Sequence, residues 1–187
     1  MVQLQKQGQS FLLSLARQAI AEWTVKGEVL GIPSGLAPGL LEKRGVFCTI
    51  RTGRQVRGCA GLPEPVKPLA EATISAALAS AFNRAFKPLG PLELPRASIE
   101  LTILTEPVQL IGDARRFPSM VEAGRHGLLI RNGSHVGLLL PSVATEYGLR
   151  PLDFLGAACE RAGLHADAWR EPDIKVFTFE GVSFSDK

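Results

Sequence analysis

Apolar positions along the chain alternate between two periods. From Leu4 to Trp23, Leu4, Phe11, Leu12, Leu15, Ala16, Ala19, Ile20 and Trp23 mostly recur at helical spacing, predicting an amphipathic helix weakened in its first turn by Gly8. GEVLGIPSGLAPGLLEKRG then reads as a loop. Gly45 to Arg51 (GVFCTIR) and Gln55 to Leu62 (QVRGCAGL) have strand composition, and Thr52-Gly53-Arg54 between them supplies turn chemistry. Pro65 and Pro68 introduce LAEATISAALASAF, an alanine-rich helix able to lie close on a sheet.

KPLGPLELPR breaks the pattern before a strand at Ala97 to Leu104, with Ile99, Leu101 and Ile103 on one face. Pro107 to about Glu122 yields no assignment. In GLLIRNGSHVGLLLP, Asn132-Gly133 between apolar runs predicts a type I′ hairpin in which Ile130 faces His135. Pro141 and Pro151 can each open a helix, the second carrying Leu152, Leu155, Cys159 and Ala162 on one side until Gly163 stops it. Ile174 to Phe184 closes the pattern as a strand. Helices and antiparallel hairpins without regular strand–helix succession give an α+β class, with residues 1–187 as one domain divisible into two subdomains.

Composition changes this picture little. Lys and Arg number 21 against 18 Asp and Glu, and the formal charge of +3 is scattered rather than striped, which disfavours a nucleic-acid surface. Three cysteines without metal-ligand spacing fit neither a disulfide framework nor zinc, so no metal or cofactor is expected. No apolar run approaches a membrane span and no secretory leader is visible, so the expected location is the cytoplasm.

Strand parity sorts the cysteines. Cys48 shares a face with Val46 and Ile50, and Cys159 shares one with Leu155, so both read as core. In the second strand Val56, Gly58, Ala60 and Leu62 form the apolar set, leaving Arg57, Cys59 and Gly61 opposite. An arginine two residues away favours a thiolate, and glycines at 58 and 61 would let a ligand approach the backbone. Glu64, just downstream, is the nearest candidate acid or base. Carboxylates at Glu71, Glu100 and Glu146 show no pairing in spacing. A second candidate cluster is Arg125, His126 and Gly127, placed at the open end of the predicted hairpin with exposed N–H groups nearby. His135 and His165 read as hairpin and loop residues. Walker, HExxH and GxSxG motifs are absent.

Several ordered motifs carry a resemblance: LARQAI, GVFCTI, RGCAG at residues 57–61, the alanine-rich helix, IELTILTEP, GRHGLLI, LLLPSVATEYG and DAWREPD. Together they resemble the AMMECR-one domain family, the AMME syndrome chromosomal region protein family. The resemblance implies an antiparallel sheet flanked by helices, a smaller αβ lobe, and the RGCAG signature beside a groove. It also implies Memo-like and radical S-adenosylmethionine proteins as partners, and a candidate catalytic cysteine without an agreed substrate. NRAFKPL stands where the family has a segment like DPRFPPL, and Leu149 replaces a tryptophan, so ligand specificity is not carried over at Phe86 to Leu89. Two functions follow as expectations. One is a cysteine-dependent enzyme or enzyme component with Cys59, Glu64 and His126 as catalytic candidates and Arg57, Gly58, Gly61, Arg125 and Gly127 lining the site. The other is a non-catalytic module recognising a partner protein, peptide or metabolite.

Overall fold

The computed structural model describes residues 4–82 and 88–187. The altered segment from Asn83 to Leu89 therefore falls mostly outside the described residues. In chain order the elements are α1 (Lys6–Lys26), α2 (Pro38–Leu41), β1 (Gly45–Thr52), β2 (Gln55–Leu62), α3 (Leu69–Ala81), β3 (Ser98–Leu104), β4 (Val108–Gln109), α4 (Phe117–Met120), β5 (His126–Asn132), β6 (His135–Leu139), α5 (Pro141–Glu146), α6 (Pro151–Arg161) and β7 (Lys175–Ser185). This mixture of helices and an antiparallel sheet is the expected α+β class. No described helix is long and apolar enough to cross a membrane.

The chain forms two compact units, Met1–Leu104 with Val182–Lys187, and Thr105–Gly181. In the first, the strand order is β2-β1-β3, with the last residues of β7 next to β3. Val46, Cys48 and Ile50 of β1 and Ile99 and Leu101 of β3 are fully buried in one cluster with Leu12, Ala16 and Ile20 of α1 and the alanines of α3. The small residues of α3 set how near it lies. A Cβ built on Gly58 would sit 2.1 Å from the Ser80 carbonyl oxygen of α3, and the buried Ser80 hydroxyl donates to the Cys48 carbonyl. Gly58 is thus where the helix backbone rests on the strand.

Arg17 of α1 locks the far end of this unit. Its Nη1 donates to the Leu94 carbonyl at 2.7 Å, its Nη2 to Ala97 at 2.9 Å, and its Nε to Asp186 at 3.0 Å. Asp186 in turn accepts from the backbone N–H of Ile99 at 2.9 Å.

In the second unit β5 pairs with β6 and with β7, and β4 pairs with β7. Helix α6 covers β5 and β6, burying Phe154, Leu155, Ala158 and Cys159 with Leu128, Ile130 and Trp169. The buried side of α6 carries Leu155, Cys159 and Ala162 as expected, and of the four residues assigned to it Leu152 alone departs. Leu152 is exposed, because Phe154 and Ala158 point inward with Leu155 and Cys159. The unassigned stretch after Pro107 holds β4, a short turn capped by the Asp113 carboxylate, and α4.

Both hairpin turns differ from expectation. Asn132 pairs with His135 and Ile130 with Gly137, so the turn residues are Gly133-Ser134 rather than Asn132-Gly133. Gly133 has φ 56° and no described non-glycine residue has positive φ, which excludes the I′ turn, whose two central residues both need it. Glycine at the first central position is the II′ pattern. The β1–β2 turn shortens likewise to Gly53-Arg54, with Gly53 at φ 60°.

Gly58→Ala should lower stability by about 1–3 kcal/mol, because the added methyl must displace the α3 backbone. Gly31→Ala, where a Cβ meets nothing within 4 Å, should stay within about 0.5 kcal/mol. Urea unfolding midpoints of the two variants check the contrast.

Candidate functional site

Residues opposite one another in an antiparallel pair share a face of the sheet. Thr49 lies opposite Cys59 on one side and opposite Glu100 on the other. Cys59, Thr49 and Glu100 therefore form a row across β2, β1 and β3, on the face away from α1 and α3. Thr49 is buried, and its hydroxyl donates to Cys59 Sγ at 3.4 Å. Cys59 and Glu100 are half-buried, each keeping part of its surface open. The hydroxyl donor fixes the direction in which the sulfur points.

The other two cysteines are fully buried. Desolvation pushes the Cys48 thiol up to about 12, with the nearby Cys59 adding to the rise and the Ser80 hydroxyl opposing it. Burial likewise raises Cys159 to about 11, against a backbone hydrogen bond with Trp169. Neither forms thiolate near neutral pH. The described residues contain no disulfide.

The register of β2 slips beside Arg57: Ile50 pairs with Gly58, whereas Arg51 pairs with Val56. This one-residue bulge removes Val56 from the strict alternation expected for the strand. Arg57 Nε and Nη2 donate to the two carboxylate oxygens of Glu93, the second at 3.0 Å. These bonds hold the guanidinium pKa above its usual value, although desolvation works against them. The charge of Arg57 is thus shared first with Glu93, in the segment before β3.

Both signature glycines answer to the protein's own packing. A Cβ on Gly58 would strike α3, and one on Gly61 would lie 2.1 Å from the Val46 carbonyl oxygen and 2.7 Å from the Phe47 ring. Glu64 lies past the end of β2 and is exposed. Neither of two cavities, about 520 Å³ beside the start of α1 and about 370 Å³ beside Trp169–Pro172, includes a signature residue.

Arg125, His126 and Gly127 belong to the second unit, and Cys59 to the first. Arg125 donates to Glu122 at 3.1 Å and to Glu180 at 2.9 Å, bonds that raise its pKa. The Glu122 backbone N–H donates to His126 Nδ1 at 3.1 Å, so the neutral ring carries its proton on Nε2. Gly127 is where the Phe179 ring lies on β5; a Cβ there would be 2.3 Å from it. His135 Nδ1 meets the Ala162 carbonyl at 3.1 Å, and His165 Nε2 meets Glu171 at 2.7 Å.

With this geometry in hand, comparison with known proteins decides the lineage. The AMMECR1 family model matches residues 13–184. The chain belongs to the AMMECR1 family. A protein of Thermococcus gammatolerans is 40% identical over 183 residues, covering 95% of this chain and 89% of that relative. Another from Thermofilum pendens is 41% identical over 187 residues, covering 94% and 88%. The crystal structure of uncharacterized protein PH0010 from Pyrococcus horikoshii superposes with a TM-score of 0.91 at 38% identity, covering 95% of this chain and 90% of that one. AMMECR1 membership thus fixes fold and lineage, and the relatives' printed names state no reaction.

Three site residues had escaped the sequence reading in their roles. Thr49 and Glu100 join Cys59 only through the β1–β3 register, and Glu93 sits in a breaker-rich segment without periodicity.

Because folding keeps Cys48 and Cys159 protonated, their contribution to stability is complete below pH about 9 and is lost as pH rises through 11 to 12. Denaturant midpoints should therefore fall steadily above pH 9. The Cys48→Ala, Cys159→Ala double variant should show a flatter alkaline limb.

Proposed function

We propose that this AMMECR1 protein is a cysteine-dependent enzyme or enzyme component in which the Cys59 thiolate is the nucleophile. The observation that carries this reading is the Thr49 hydroxyl on Cys59 Sγ, on a half-buried face, while the other two thiols are fully buried and raised. Attack would donate a sulfur electron pair to an electrophilic centre of the substrate, and the displaced pair would leave on the departing group. Thr49 is a positioning residue here. Arg57, tied to Glu93, fixes the segment before β3 beside the signature and is less available to an anionic substrate than its sequence position suggests.

Glu100 lies one strand beyond Thr49 in the same row. Glu64, past the end of β2, and His126, in the second unit, stay secondary candidates. A cytoplasmic setting suits three cysteines outside any disulfide among the described residues. A Memo-like or radical S-adenosylmethionine protein as working partner is part of the same proposal.

The second reading, recognition without turnover, draws support from Arg125. Its exposed guanidinium is braced by Glu122 and Glu180 as a fixed surface group. Arg125→Glu abolishing association with a co-purifying partner, while Cys59→Ser leaves it intact, would favour recognition at that loop.

Iodoacetamide modification followed by peptide mapping across pH tests the leading reading. Cys59 should react at pH 7 faster than free glutathione, and Thr49→Val should slow it by roughly three- to ten-fold, with Thr49→Ser restoring most of the rate. A Cys59 that is protected, or no faster than glutathione, overturns the nucleophile role.

A further inference from the structure

We infer that the thiol face takes an electrophile bearing a cationic group, an ammonium or guanidinium, and that Glu100 anchors that cation. The inference rests on the reading of Cys59 as nucleophile and adds the substrate class.

Glu100 is one strand beyond Thr49 in the row that begins at Cys59. With adjacent strands about 4.8 Å apart, the backbones at 59 and 100 are separated by roughly 9.6 Å. The two side chains project from one face, so a short substrate can touch both. Glu100 is half-buried, yet among the described residues it accepts no hydrogen bond and joins no ion pair. A partly desolvated carboxylate in that condition gains from a cation brought to it.

The other charges of the face leave this role open to Glu100. Arg57 and Glu93 neutralise one another. Arg51 projects from the same face two residues further along β1, opposite Ser98 rather than Glu100. A cation-bearing substrate also resolves a conflict within the row. The Glu100 charge opposes a thiolate on its neighbour, and a bound cation would screen it just when sulfur must attack.

Two methanethiosulfonate reagents of opposite charge supply the test, one with a trimethylammonioethyl group and one with a sulfonatoethyl group. In each, the thiolate attacks the sulfenyl sulfur, a disulfide forms and methanesulfinate leaves. Rates at Cys59, read by mass spectrometry and normalised to 2-mercaptoethanol, give a cation-to-anion preference. The preference should be roughly three- to ten-fold in the native protein and approach one in Glu100→Gln, with Glu100→Asp between. Unchanged circular dichroism and melting would show that the variants are folded.

A native preference at or below one, or a preference unchanged in Glu100→Gln, overturns the anchor. If both reagents react no faster than with 2-mercaptoethanol but the preference still follows Glu100, the anchor stands and the nucleophile reading falls. If both react rapidly without preference, the nucleophile stands and the anchor falls. If neither modifies Cys59, the face is closed and both fail.

Discussion

The contact on which the site depends is the seating of α3 on β2 at Gly58. The strand meets the helix backbone there with no room for a methyl group, and Ser80 bonds the Cys48 carbonyl beside it. Strand geometry then leaves no choice for the next residue. If Gly58 faces the helix, Cys59 faces away from it. The glycine that looks like a ligand-approach device in the sequence is satisfied by internal packing, and it is the reason the cysteine is presented on the other face.

That face combines three kinds of group at graded burial. A buried hydroxyl orients the sulfur, a half-buried carboxylate stands across the row from it, and an arginine–glutamate pair braces the adjoining segment. The two fully buried thiols show the opposite outcome of the same folding, since desolvation, with smaller contributions from neighbouring charges, pushes them far from ionisation. Environment, rather than residue type, distinguishes one cysteine from the others.

Much of this was legible because it is local. Helical spacing marks α1 and α3, alternation marks β1, β2 and β3, and parity alone separates Cys48 from Cys59. What escaped depends on pairing between distant residues or on the sign of φ. Glu100 was visible as a carboxylate opposite to Ile99 and Leu101 in parity, but only the pairing of β1 with β3, some fifty residues apart, puts it beside Thr49. The Arg57–Glu93 pair spans an irregular segment that carries no period. In the Asn132-Gly133-Ser134 stretch a strong dipeptide signal pointed one residue early, because glycine alone supplies the positive φ and asparagine stays in the strand. In α6 the expected Leu155, Cys159 and Ala162 are buried, and Phe154 takes the interior place assigned to Leu152.

The most direct measurement is a crystal structure of the native protein after brief soaking with a small cysteine-reactive probe. The account predicts one adduct, on Cys59 Sγ, with Thr49 beside it, Cys48 and Cys159 unmodified, and the Gly58–Ser80 contact undisturbed. An adduct on Cys48 or Cys159 instead, or a Cys59 that stays unmodified while the crystal remains intact, would contradict it.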